Sequence, residues 1–287
     1  MQHKIKIVEC PRDAMQGIKQ FIPTQKKVQY IQSLLRVGFD TIDVGSFVSP
    51  KAIPQMVDTA AVLSQLDLSN TKSKLLTIVP NLRGAQDACK HDNIDYLGYP
   101  FSISENFQMR NTHKTIAQSI GVLQDILALC AKHNKTLVVY ISMGFGNPYG
   151  DPWSVDIVAQ WTETLAKFGV QILSLSDTIG SSTPKTINYL FSNLIPAYPN
   201  IEFGAHLHTT PALWFEKIDA AYHSGCTRFD GAIQGFGGCP MAKDALTGNM
   251  PTEKLLSYLT QQKNNPLQSI TFESAYNEAS KIFKMYH

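Results

Sequence analysis

Nowhere does the chain carry an apolar run approaching the ~20 residues that a membrane-spanning helix requires. Charge of one predominant sign is lacking too. The 25 Lys and Arg face 23 Asp and Glu for a formal +2, and the cations are scattered, so no basic stripe exists to follow a phosphate backbone. Neither a membrane nor a nucleic acid is expected as a partner. The first residues, Met1-Gln2-His3-Lys4-Ile5-Lys6-Ile7-Val8, pass straight into an apolar strand pattern that is too short and too charged for a secretory signal, so a cytoplasmic protein is expected. The five cysteines, Cys10, Cys89, Cys130, Cys226 and Cys239, are odd in number, widely spread and without a Cys-x-x-Cys pair. That pattern excludes a disulfide framework or a thiolate zinc site as the expectation and makes most of them small buried apolar residues.

The 287 residues, 44% hydrophobic, suffice for one large core, and the whole chain, 1–287, reads as a single domain. Brief apolar strand-like runs alternate with helical segments from end to end, near Ile5–Glu9, Thr41–Val44, Leu75–Val79, Tyr96–Tyr99, Leu137–Ser142, Ile172–Ser176, Glu202–His208 and Arg228–Ala232. About eight βα units of this kind are what an α/β TIM barrel needs. Helical period is plain in Val28, Ile31, Leu34 and in Ile116, Ile120, Leu123, Ile126, Cys130. Helix starts are expected at Thr183-Pro184, Asp151-Pro152 and the capping box Thr115-x-x-Gln118, and helix stops at Gly38, Gly169 and Gly225. Each of these glycines opens a unit of strand and then acid: Gly38…Asp43, Gly169…Asp177, Gly225…Asp230. An open doubly wound sheet uses the same grammar and stays as the rival. From about Asn264 onward no further strand follows, and an extra C-terminal helix is expected.

His206-Leu207-His208 is the first chemical signal, because strand residues two apart share a face. Both imidazoles would point into a barrel mouth and ligate a divalent cation. Asp13 follows strand one, which in a closed barrel lies beside strand eight and so near strand seven. It would approach the histidines, and Asn249, beyond the loop Gly235-Phe236-Gly237-Gly238-Cys239-Pro240, could add an oxygen. One carboxylate in a mixed N/O set suits Mg²⁺ or Mn²⁺, with Zn²⁺ as the remaining candidate. No organic cofactor is called for.

The runs Lys6-Ile7-Val8-Glu9 with Pro11-Arg12-Asp13, Ser46-Phe47-Val48-Ser49-Pro50-Lys51, Asp177-Thr178-Ile179-Gly180 and Gly237-Gly238-Cys239-Pro240…Gly248-Asn249 resemble the 3-hydroxy-3-methylglutaryl-CoA lyases in sequence and order, over nearly the whole chain. The resemblance implies a TIM barrel that performs retro-Claisen cleavage of that thioester to acetyl-CoA and acetoacetate. It makes Asp13, His206, His208 and Asn249 the metal ligands, Arg12 the partner of the developing enolate, and Cys239 a proton donor on a glycine-rich loop. Asp43 and Asp177 match acidic positions of the family site as base or orienting group, and Gln16 contacts substrate or Asp13. An acyl-CoA is the implied small-molecule partner, in leucine or ketone-body metabolism, and a homodimer is compatible with it.

Three departures stand against this pattern: Thr209 after the His-x-His where the lyases generally have an acid, Ala14-Met15 for Gly-Leu, and a Ser142–Pro148 segment without the cysteines often found there. None removes a proposed ligand. Two other readings are carried forward: a related lyase or Claisen-condensing synthase using acetyl-CoA and a 2-oxo acid, and a metal-binding barrel without catalysis.

Overall fold

A computed structural model describes residues 4–238, 247–267 and 269–286. Eight parallel strands, β1 (Lys6–Glu9), β2 (Thr41–Ser46), β3 (Lys74–Ile78), β4 (Tyr96–Ser102), β5 (Thr136–Ser142), β6 (Ile172–Asp177), β7 (Glu202–Thr209) and β8 (Arg228–Gly231), pair in sequence order. β1 pairs with β8, which closes the sheet into a TIM barrel and excludes the open doubly wound alternative. All eight strands lie where the apolar runs place them, with ends moved by up to three residues.

Helices stop and start for local reasons. Gly38, Gly169 and Gly225 all have left-handed φ, +86°, +92° and +90°, after the helices they terminate. Thr115 and Gln118 complete a reciprocal capping box, and Thr183 caps a helix that begins with Pro184. Asp151-Pro152 does not start a helix. The cap there is Ser154, whose side chain accepts from the Ile157 amide, while Asp151 accepts from Ser104 and Asn106. A second unexpected element is the two-residue strand β9 (Gly248–Asn249), antiparallel to the end of β7 with His208 opposite Asn249.

Strand parity sorts the core into two. Outward-facing residues such as Ile7, Ile42, Leu75, Leu97 and Leu173 pack under the helices, while Leu76, Val138, Tyr140 and Ile172 fill the barrel interior. Below them the interior is ionic: Lys6 and Arg228 both pair with Glu202, and Arg228 also reaches Asp40. The expected C-terminal helix spans Ser269–Tyr286 and lies along Thr24–Val37, with Phe283 edge-on to Tyr30 at 6.2 Å. Among the described residues no helix is long and apolar enough to cross a membrane.

Glu9, outward on β1, is fully buried and accepts from the Ile233 amide at 2.9 Å and the Thr252 hydroxyl at 2.6 Å. Burial outweighs both donors and pushes the carboxyl from 4.5 to about 8. Between those values the unfolded chain is ionised while the folded one holds the proton. Stability contributed here therefore falls as pH rises from about 4.5 to about 8 and is flat above. Glu9→Gln keeps an acceptor for Ile233 and removes this loss, so relative to wild type it gains on the order of 1–3 kcal/mol between pH 5 and pH 8. Urea unfolding of both proteins at the two pH values tests this, and parallel pH profiles would refute it.

Candidate active site

The chain leaves β1 through Cys10 into a short helix, Pro11–Gln16, with Pro11 at its first position. Residues four apart on a helix share a face. Arg12 and Gln16 accordingly meet, Nη1 to Oε1 at 2.9 Å. The same guanidinium donates to Asp13 Oδ1 at 2.8 Å and, through Nε and Nη2, to Asp43 Oδ2 at 3.0 and 2.5 Å. Gln16 Nε2 adds a donor to Asp13 Oδ1 at 2.8 Å. Arg12 is thus locked by two buried carboxylates, which outweigh the opposing effect of burial and keep it charged.

His206 and His208 do share a face, with ring centroids 5.3 Å apart. His206 Nδ1 lies 3.0 Å from Asp230 Oδ2, so a proton held between them leaves the Nε2 lone pair available to a cation. Ligand atoms of Asp13, His206 and His208 all lie within 4.8 Å of one another. Sequence reasoning did not single out Asp230 as a site residue. Its signal was the strand spacing, two positions after Arg228, which puts both in the barrel interior.

Burial raises the Asp13 carboxyl, but Arg12, the two histidines and Asn249 more than offset it, leaving it below the ordinary range. Asp43 shares Arg12 yet ends at about 6, because burial is stronger there and Asp13 and Asp230 repel its charge. Burial lowers both imidazoles. The bond and charge of Asp230 reverse this at His206, which ends raised, whereas His208 falls to about 4 because His206 repels its protonated form. His208 is therefore neutral at neutral pH, the form in which an imidazole can ligate a cation, and its buried Nδ1 has no hydrogen-bond partner among the described residues.

Three carboxylates, Asp13, Asp43 and Asp230, crowd this buried space; Arg12 pairs with the first two, and His206 and the charge of Arg228 act on the third. Crowded carboxylates are costly away from water unless cations balance them. The donor set and the charge both fit a divalent ion. Asn249 also reaches the cluster: its Nδ2 donates to Asp13 Oδ2 at 2.6 Å and to the Phe236 carbonyl at 2.8 Å. A cation would take its oxygen, which a half-turn of the amide brings forward. Gly237 permits this approach, since a Cβ there would lie 2.6 Å from both Asn249 Nδ2 and the Asp13 carbonyl oxygen.

Asp177 lies elsewhere. Five positions after Ile172, it points out of the barrel and accepts from Ser182 and from Lys217 Nζ at 2.8 Å, while Ser176 and Thr178 line the cleft. Lys217, fully buried on the helix Trp214–His223, also donates to the carbonyl oxygens of His208 at 2.8 Å and Gly180 at 3.0 Å. It was readable only as a lysine on an otherwise apolar helix face with Ile218 and Ala221. Together they brace the end of β7 that carries His208. Lys217→Met strands a buried carboxylate and should cost about 3–5 kcal/mol in urea unfolding, with a large part recovered in Lys217→Met/Asp177→Asn. A single variant within 1 kcal/mol of wild type would contradict that pairing. Cys239 falls outside the described residues.

Above the floor of Arg12, Asp13, Gln16, His206 and His208 opens a cleft of about 170 Å³. Its walls are largely apolar, with Val48, Ile53, Ile78, Pro100 and Phe107, and polar groups from Asn111, Ser142 and Thr178. Tyr140, edge-on to His206 at 5.7 Å, joins floor and wall.

With this geometry in place, comparison with known proteins is specific. The family described as HMGL-like matches residues 4–280. A hydroxymethylglutaryl-CoA lyase of Bacillus subtilis is 32% identical over 90% of this chain and 86% of its own. A 3-hydroxy-3-isohexenylglutaryl-CoA/hydroxy-methylglutaryl-CoA lyase of Pseudomonas aeruginosa is 32% identical over 89% and 85%. Among solved structures, an HMG-CoA lyase of Acinetobacter baumannii in complex with coenzyme A and 3-methylmalate superposes with a TM-score of 0.87 at 29% identity, over 95% of this chain and 89% of that one.

Proposed function

The chain belongs to the HMGL-like family, and from that premise we propose that it is a carbon–carbon lyase that cleaves 3-hydroxy-3-methylglutaryl-CoA to acetyl-CoA and acetoacetate. The observation that carries this reading is the junction of Arg12 with the Asp13–His206–His208 cluster on the floor of one cleft. A divalent cation, Mg²⁺ or Mn²⁺ by its donors, held there by Asp13, His206, His208 and Asn249 would polarise the tertiary hydroxyl.

The chain's own groups account for the remaining demands. The hydroxyl proton leaves toward the floor, where Asp13 is the ionised carboxylate lining the cleft. As the C2–C3 bond breaks, its electron pair passes into the thioester as an enolate and C3 becomes a ketone. Arg12 is fixed in advance to oppose the negative charge that develops. Asp43, absent from the cleft wall, positions Arg12, and Asp230 positions His206. Gln16 braces Arg12 and Asp13 from the cleft edge. A proton returned to the enolate carbon, assigned to Cys239, completes acetyl-CoA. The acyl-CoA partner is supported by the coenzyme A bound in the Acinetobacter relative.

Purified protein with Mg²⁺ or Mn²⁺ and 3-hydroxy-3-methylglutaryl-CoA should release acetoacetate and acetyl-CoA in equal amounts. No release with either metal would overturn the reading. The apolar walls, with the activity named for the Pseudomonas relative, favour a second reading in which a longer 3-alkyl group is also accepted. A 3-hydroxyacyl-CoA with such a group, cleaved with comparable kcat/KM in the same assay, distinguishes the two. Free CoA formed only with acetyl-CoA and a 2-oxo acid would indicate a synthase instead.

A further inference from the structure

Directly against the first cluster lies a second, made of Cys10, His206 and Asp230, whose ligand atoms also fall within 4.8 Å of one another. Barrel closure creates it. Cys10 continues β1, its amide donating to the Gly231 carbonyl at 2.8 Å, and so stands beside Asp230 on β8 and close to His206 on β7. Cys10 is 1% exposed, and the contact of its thiol to the Val8 carbonyl, at 3.8 Å, is long. Asp230 spends Oδ2 on His206, but its Oδ1 is buried with no hydrogen-bond partner among the described residues. A buried, unpartnered carboxylate oxygen beside a thiol and an imidazole is a donor set suited to a cation.

We propose that Cys10, His206 and Asp230 form a second metal station, selective for thiophilic divalent cations of the zinc class, which excludes the hard cation from the first. Sulfur, nitrogen and one carboxylate suit Zn²⁺, Co²⁺ or Cd²⁺, whereas the neighbouring oxygen-rich set suits Mg²⁺ or Mn²⁺. The two stations share His206 through different atoms. A cation at the second takes Nδ1, the atom now facing Asp230, and the imidazole proton then resides on Nε2, where it blocks ligation at the first. The thiol proton is released to solvent as the cation binds. Both stations need His206, in opposite tautomers, and this makes them alternatives.

Co²⁺ added to the purified full-length chain should produce a near-ultraviolet thiolate-to-cobalt charge-transfer band. The band should vanish in Cys10→Ser and in Cys10→Ala and persist in Cys239→Ser, which controls for the cysteine assigned to proton return. Zn²⁺ should inhibit Mn²⁺-supported turnover of wild type, with at least tenfold weaker inhibition in Cys10→Ser at similar basal turnover. No band in wild type, a band surviving in either Cys10 variant, or its loss in Cys239→Ser overturns the assignment. Because the absorbance needs no substrate, these outcomes are independent of the reaction proposed above.

Discussion

Arg12→Gln should lower kcat by about 10³-fold, near 4 kcal/mol, while KM for the thioester changes little. The asymmetry follows from what Arg12 touches. Before reaction its guanidinium is held by Asp43 and Asp13, so it opposes charge mainly when that charge develops in the cleft. A neutral replacement also leaves Asp43 buried beside Asp13 and Asp230 without a cation, and its carboxyl, already at about 6, should rise further. Arg12→Lys separates charge from shape: the ammonium keeps the charge but cannot span Asp43, Asp13 and Gln16 at once, so an intermediate loss, roughly 10²-fold, is expected. Steady-state kinetics at saturating metal, with thermal unfolding to verify folding, decide the matter. A KM-dominated loss in Arg12→Gln would instead mean that the residue only holds substrate.

Asp13→Asn should be as severe for a different reason. The amide is nearly isosteric and can still accept from Arg12, yet it removes the only carboxylate from the Asp13–His206–His208 set and with it a negative charge that favours a divalent ion. Mn²⁺ affinity should fall by at least 10-fold to 100-fold, and turnover by on the order of 10³-fold or more. Calorimetric titration with Mn²⁺ checks the first and acetoacetate release the second. Because Asp13 also receives Gln16 and Asn249, some loss of stability accompanies the change, but both partners keep other hydrogen bonds, to Arg12 and to Phe236. Wild-type turnover in this variant at ordinary metal concentration would sink the ligand assignment. Unchanged Mn²⁺ affinity with lost turnover would leave Asp13 as a proton acceptor outside the metal set.

Local rules made much of the site legible. Alternation along a strand put His206 and His208 on one face, and the placement of Arg12-Asp13 just past strand one put them at the same rim once closure was assumed. Acids were harder to sort. Asp43, Asp177 and Asp230 all lie on strands in the same repeated unit, but Asp230 orients His206 and Asp43 holds Arg12, whereas Asp177 faces Lys217 under a helix. In an amphipathic strand the apolar side would have shown which way each acid points. A barrel strand is buried on both sides, and all six residues of Ile172–Asp177 are buried, so alternation defines two faces without saying which is the interior.

By itself, then, the amino-acid sequence determined the βα alternation, the capping of individual helices and the shared face of the two histidines, because each depends on backbone periodicity over a few residues. Closure decided the rest. Asn249 and Asp13 touch across 236 positions, Lys217 reaches the carbonyl behind His208, and Cys10 comes to rest beside His206 and Asp230 only when β1 docks on β8. Such contacts depend on strand register and tilt summed around the whole barrel, which no local stretch of chain encodes.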